Sequence, residues 1–193
     1  MLQQRRKGID MESIKNTAVI AAVRSEEEFL GALGSQAKII FDLKPNIMTL
    51  SDRVKMSHSY GKKIFIHIDL ADGVGKDRSG VRYVKEKGAD GVISTKSNII
   101  KFAREVEMAN VQRFFAVDSK SVETILETVK LSKPDMVEVM PGVAFSAIQT
   151  LSDNTSLAVI AGGLIECESD IEKAAQCGAS AISTTKAELW NIW

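Results

Sequence analysis

Two short strings near the carboxyl terminus have the composition of an anion site. In Ala161–Ile165 (AGGLI) Gly162 and Gly163 stand side by side, and in Ile182–Lys186 (ISTTK) the hydroxyls of Ser183, Thr184 and Thr185 follow one another. Glycines let backbone N–H groups close on an anion, and a helix start just after the hydroxyls adds donors and a favourable dipole. Taken singly, each string also reads as a tight turn or an N-cap. A second set of polar residues falls at the ends of apolar runs: Arg24, Asp42, His67, Asp69, Ser94, Asp118 and Glu138. Carboxylates so placed accept hydrogen bonds from hydroxyls, hold a cation or exchange protons, and residue types do not choose among these. They could equally plug the interior by pairing, with Arg24 bridging Asp42 or Glu138. Carboxylates with few cations around them favour a ligand, because burying them unpaired is costly. Lys96 reads as a nucleophile, a ligand cation or a solvated loop lysine. Met140-Pro141-Gly142 reads as a turn lining the same mouth.

These residues need a frame, and the chain supplies a repeating one. Runs rich in β-branched or aromatic residues begin near residues 17, 37, 63, 90, 112, 135, 157 and 180, each followed by a polar turn and a helical pattern. The clearest helix spans Ser119–Ser132, with Val122, Ile125, Leu126 and Val129 on one face. Ser25 with Glu28, and Ser169 with Glu172, have the spacing of capping boxes, and Gly61, Gly88 and Gly178 stand where helices end. Eight evenly spaced strand–helix units predict an α/β fold, a compact single-domain (β/α)8 TIM barrel over 17–193 behind an N-terminal extension, 1–16. An open doubly wound sheet is the alternative, and the absence of G-x-G-x-x-G after the first run argues against its dinucleotide-binding form. Strand alternation in KIFIHIDL puts Phe65, His67 and Asp69 inside and Ile64, Ile66, Ile68 and Leu70 outside. The same rule turns Asp42, Asp118, Glu138, Arg24 and Ser94 inward. The glycine and hydroxyl strings then close units seven and eight, where barrels of this class commonly hold phosphate.

Composition narrows the function. With 45% hydrophobic and 26% charged residues the chain has ordinary globular proportions. Its apolar runs are too short to span a membrane. Met1–Asp10 has no apolar stretch of signal-peptide type, so the cytoplasm is the expected compartment. Cys167 and Cys177 lack metal-ligand or redox spacing and read as reduced thiols, and the histidines are too few for a histidine-based zinc site, so no metal is expected. Net charge is zero but uneven, residues 44–104 carrying +7 and 105–193 carrying −7. Lys55, Lys62, Lys63, Arg78, Arg82, Lys85, Lys101 and Arg104 would lie along one flank, the footprint of a phosphate-backbone binder. The same flank suits an acidic neighbouring subunit, so a homo-oligomer is an equal reading of it.

From Thr17 to Trp190 the chain resembles the glycerol-3-phosphate-responsive antiterminators. The similarity is carried by AVRS, HIDLADG, GVRYVKE, DGVISTK, QRFFAVDS, PDMVEVMPGV, AGGLI and ISTT in order. The resemblance implies a barrel-fold regulator without a cofactor. Such a regulator takes glycerol 3-phosphate as effector and acts on the leader mRNA of glycerol-metabolism operons to prevent premature termination. It implies that Gly162, Gly163, Ser183, Thr184 and Thr185 hold the phosphate. Asp42, His67, Asp69, Asp118 and Glu138 would face the glycerol hydroxyls or shape the mouth, with Arg24 as an extra cation. The chain departs from the family pattern at Lys96, where arginine is expected, and at Phe145, where a second proline is common. The competing expectation is an enzyme acting on a small polyol or sugar phosphate, with Asp69 or Glu138 as base. Against it, the strands contain no Schiff-base lysine, and Asp69, followed by Leu70 and Ala71, does not open an Asp-x-Lys pattern.

Overall fold

The computed structural model describes residues 19–192. Eight parallel strands form one closed barrel in chain order. They are β1 (Val19–Val23), β2 (Ile39–Asp42), β3 (Lys63–His67), β4 (Gly91–Ser94), β5 (Ala109–Phe115), β6 (Met136–Met140), β7 (Ala158–Gly162) and β8 (Ala181–Thr184). Between them run α1 (Glu26–Gly34), α2 (Leu50–Ser59), α3 (Arg78–Glu86), α4 (Ser97–Glu105), α5 (Ser119–Ser132), α6 (Phe145–Asn154) and α7 (Glu168–Gln176). The single domain and the strand–helix order agree with the sequence expectation; the extension 1–16 lies outside the described residues. No described helix is long and apolar enough to cross a membrane.

Alternation divides the strands into two cores. Ile20, Ala22, Ile39, Phe41, Phe65, Ile93, Val111, Met136, Ile160 and Ala181 fill the barrel, while Ile40, Ile64, Ile66, Val92, Val137 and Ile182 meet the helices. Inside, the Phe41 and Phe65 rings pack 5.5 Å apart, and Gly91 leaves the room that Phe65 occupies: a Cβ there would lie 2.3 Å from its ring. Outside, α1 buries Phe29, Ala32 and Leu33 along one stripe, each of the larger two contributing about 1.5–3 kcal/mol. Trp190, also buried, donates its Nε1–H to the Thr184 carbonyl at 2.9 Å and packs near Gly31 of α1, tying the end of β8 to the first helix.

Helix starts follow local chemistry. The Ser25 hydroxyl accepts from Glu28 N at 3.1 Å, and the Glu28 carboxylate accepts from Ser25 N at 3.2 Å, completing the expected box. At α7 the cap differs from expectation. Asp170, not Glu172, accepts from the N–H groups of Glu166 and Cys167, so the helix starts at Glu168 with Cys167 as N-cap. An aspartate is short enough to reach back over the first turn, and it displaces the Ser169–Glu172 pairing. Both cysteines are free.

Two residues assigned to other duties prove structural. Asp42 points outward, because Ile39 and Phe41, not Ile40, face the interior; a register offset of one residue moves a side chain to the opposite face. There it accepts from Arg53 Nη1 at 2.8 Å, and Arg53 also donates to Glu26 at 2.8 Å and lies over the Phe29 ring. Lys62, expected on a basic surface, is buried and donates its ammonium to the carbonyls of Ser35 and Ala37 at 2.7 and 2.5 Å. Leu70, placed outside against the helices, lies beyond the end of β3 in a short 3-10 turn (Ile68–Leu70) and is exposed.

Breaking the Asp42–Arg53 pair leaves the buried guanidinium with Glu26 as its one charged partner among the described residues. Asp42→Ala should lower the urea unfolding free energy by about 3 kcal/mol, whereas the double change Asp42→Leu with Arg53→Met should recover most of that loss. Equal destabilisation by both would refute a cost arising from the half-paired guanidinium.

Candidate ligand-binding site

The carboxyl ends of β1, β6, β7 and β8 open into a cavity of about 330 Å³. Its floor is Glu138, fully buried and inward-facing between the outward Val137 and Val139. Arg113 Nε donates to Glu138 Oε2 at 2.6 Å, and the Ser183 hydroxyl donates to Glu138 Oε1 at 2.6 Å. Gly162 stands opposite, where a Cβ would come within 2.4 Å of Glu138 Oε1 and 2.7 Å of Ser183 Oγ. Only glycine admits this approach. The chain then turns through Gly163, at φ +76°, and Leu164, at φ +58°. The turn is braced by Gly142 N–H donating to the Gly163 carbonyl at 2.8 Å, which places the Met140-Pro141-Gly142 turn beside the mouth as expected.

The walls of the cavity include Gly163, Leu164, Thr185 and Lys186, with Arg24 at the end of β1 and Arg113 beneath. Three cations therefore surround the space, against Glu138 and Glu166. Glu138 is already engaged by Arg113, and Glu166 lies 3.9 Å from Lys186 Nζ. Thr184 differs from its neighbours. Its hydroxyl donates to the Ile165 carbonyl at 2.9 Å and accepts from Lys186 N at 3.1 Å, so it joins the two loops. The segment after β8 is a single 3-10 turn, Ala187–Leu189, rather than the full helix expected, so the dipole contribution there is small.

On the far side of the ring, β3 brings His67 to the interior, its side chain 5% exposed and Nε2 3.9 Å from Asp69 Oδ2. Burial drives the imidazole pKa down to about 4, the nearby Arg113 charge adds to this, and Asp69 and Glu138 only partly oppose it. The ring is therefore neutral near pH 7. Burial would raise the Asp69 carboxyl, but Ser94 Oγ, Thr95 N and Thr95 Oγ1 donate to it at 2.6, 2.7 and 2.8 Å and hold it below the usual range.

The sequence-assigned residues thus separate. Arg24, Glu138, Gly163, Ser183, Thr184 and Thr185 line one cavity, with Gly162 beside its floor. His67 and Asp69 meet across the ring, and Ser94 joins them through its bond to Asp69 although Ile93, not Ser94, has the inward register. Asp118 is not in the mouth: β5 ends at Phe115, and Asp118 is an exposed N-cap accepting from Ser121 N at 2.7 Å. Lys96 is an exposed N-cap of α4, its backbone N–H bonded to Ser94 Oγ. Arg113 and Lys186 were missed. Reading β5 from Val111 rather than from Ala116 would have turned Arg113 inward, and Lys186 is the last residue of the hydroxyl string. Among the described residues no three His, Cys, Asp or Glu side chains are grouped to hold a metal.

Of the basic flank, Lys55, Arg82, Lys85 and Lys101 are exposed and Lys63 half-buried. Arg78 pairs with Glu105 at 2.7 Å, Arg104 donates to the Ser132 carbonyl at 3.4 Å, and Lys85 is bonded to the Val106 carbonyl.

Fold and cavity together define a (β/α)8 barrel with a polar cavity at the carboxyl ends of its strands. Within that class the chain belongs to the glycerol-3-phosphate responsive antiterminator family, whose model matches residues 19–190. It is 34% identical over 180 residues to the protein YgcP of Escherichia coli K12, covering 93% of this chain and 94% of that one. The crystal structure of the glycerol uptake operon antiterminator regulatory protein from Listeria monocytogenes superposes with a TM-score of 0.85 at 29% identity, over 91% of this chain and 95% of that one. A glycerol uptake operon antiterminator-related protein from Thermotoga maritima gives 0.81 at 32% identity, over 90% and 98%.

The neutral burial of His67 has a measurable signature. The unfolded chain takes up this proton near pH 6.5 and the folded chain near pH 4, so acidification through that window favours unfolding. Between pH 7 and 4.5 the residue should account for about 2–3 kcal/mol of lost stability. His67→Gln should show a correspondingly shallower pH dependence of its unfolding free energy, and an unchanged slope would sink the assignment.

Proposed function

We propose that this chain is a glycerol-3-phosphate-sensing antiterminator that binds the leader RNA of glycerol-metabolism operons. The observation that carries the ligand half is the cavity over Ser183 and Gly163, ringed by Arg24, Arg113 and Lys186, with its one buried carboxylate neutralised by Arg113. A phosphate there meets three cations and backbone that approaches closely only because residues 162 and 163 are glycines. Family membership supports the regulatory half. An enzymatic role is disfavoured because both carboxylates suited to act as a base are engaged: Glu138 by Arg113 and Ser183, Asp69 by Ser94 and Thr95. The effector would order the loops after β7 and β8 and so favour the conformation that binds RNA; the coupling must then be reciprocal.

For RNA the flank formed by α3 and α4 is the proposed face, with Arg82 and Lys101 exposed on it and Lys62 removed from it by burial. Its charge equally suits a second copy of the chain.

Calorimetric titration should show saturable glycerol 3-phosphate binding without product formation; turnover, with or without a divalent metal, would overturn the regulator reading. Gly162→Ala, which thrusts a methyl against Glu138 and Ser183, should abolish binding, and Lys186→Ala should weaken it about tenfold, about 1.4 kcal/mol. In a gel shift with leader RNA, the double change Arg82→Glu, Lys101→Glu should weaken RNA binding at least tenfold and leave ligand affinity intact. RNA binding indifferent to ligand would refute sensing, and a change of oligomeric state in that variant would assign the flank to a subunit contact instead.

A further inference from the structure

A second concavity, of about 540 Å³, opens between α5 and α6 just past the end of β5. Its floor is apolar, made by Ala116, Val122, Leu126 and Ala147. Val117 lines it and is 79% exposed, and Phe115, two residues earlier, is 56% exposed. Single exposed apolar side chains need no explanation, whereas several gathered beside a groove mark an interaction surface. The charged groups of the lining are Asp118, which caps α5, and Glu123; no lysine, arginine or histidine is among them. The groove shares no lining residue with the mouth cavity and none with the α3–α4 flank. The sequence holds a segment of matching chemistry. The family match begins at residue 19 and leaves residues 1–18 outside it. Residues 1–16 carry four basic side chains against two acidic, with Arg5, Arg6 and Lys7 in a row and Ile9, Met11 and Ile14 close behind.

We propose that the groove between α5 and α6 seats the N-terminal extension of a second copy of this chain. Ile9 and Met11 close over the apolar floor, and the run from Arg5 to Lys7 meets Asp118 and Glu123. Exposed ion pairs hold weakly. The apolar contact therefore supplies the affinity, while the charges set the direction of the segment and exclude an acidic one. The chain's own extension does not reach. Val19 begins β1 at the amino end of the barrel, whereas the groove lies at the carboxyl end beside β5, on the far side of the ring. Ten residue steps separate Ile9 from Val19 and span about 35 Å at full extension. The path beneath the barrel and up its far side exceeds the width of a body this size, roughly 40 Å. A neighbouring copy has no such limit, and two copies that exchange extensions form a closed two-fold dimer.

The test uses the full chain. Sedimentation equilibrium of wild type should show a dimer at micromolar concentration. Two paired variants should each weaken it by at least about tenfold: Ile9→Asp with Met11→Asp in the extension, and Val117→Asp with Thr150→Asp at the groove. Val117 and Thr150 are exposed, so the second pair leaves the barrel core untouched. Disulfide trapping gives a separate readout. In a Cys167→Ser, Cys177→Ser background, a chain carrying Ile9→Cys is mixed with one carrying Thr150→Cys. A mixed disulfide should form between them and should be lost when Tyr60→Cys, on the exposed end of α2, replaces Thr150→Cys. A monomeric wild type, a dimer undiminished by both paired variants, or one weakened by only one of them would each overturn the proposal. So would a disulfide that forms only within a single chain carrying both Ile9→Cys and Thr150→Cys, which would assign the groove to the chain's own extension.

Discussion

A carboxylate buried inside a barrel has to be met by its neighbours, and the upper interior of this protein is arranged around Glu138. Arg113 supplies the opposite charge from β5 and Ser183 a hydroxyl from β8. Gly162 yields the space in which they meet. The consequences spread to three strands and two loops. Arg113 and Ser183 are committed from below, Gly162 has to be a glycine, and the backbone beyond it turns sharply through Gly163 and Leu164. The cavity above inherits a floor on which the only buried anion is already neutralised.

The two halves of the mouth differ in kind. On the β7–β8 side hydrogen bonds tie the polar groups together, with Thr184 joining the loops and Ser183 donating to Glu138. Toward β3, Asp69 is held by Ser94 and Thr95, and His67 is buried beside it. The low imidazole pKa follows from the same burial and keeps the ring in its neutral form.

Asp42, Asp118 and Lys62 lie elsewhere than their residue types and spacing predict. Asp42 and Asp118 were both turned inward by counting alternation from the wrong residue: Ile40 in place of Ile39 and Phe41, and Ala116 in place of Val111 and Arg113. In β2, apolar on both faces, alternation has no polar marker to set its phase, because barrel strands are covered on both sides; β5 ends at Phe115, so alternation does not extend to Asp118. Lys62 was misread for a related reason. Its type suggests solvent, and only the approach of the Ser35 and Ala37 carbonyls makes it an interior tether.

Local sequence by itself determined the eight-unit rhythm, the extent of α5, the Ser25–Glu28 cap, and the glycine and hydroxyl strings that close units seven and eight. These depend on period, capping chemistry and glycine's missing Cβ, all short-range properties. Only the tertiary structure decided that Arg113 lines the cavity, that Asp42 does not, and that His67 is buried beside Asp69. Each depends on which strand register the closed ring imposes and which side chain stands opposite, and residues 25 to 45 apart in sequence, such as Arg113 with Glu138 and Glu138 with Ser183, acquire that relation only when the barrel closes.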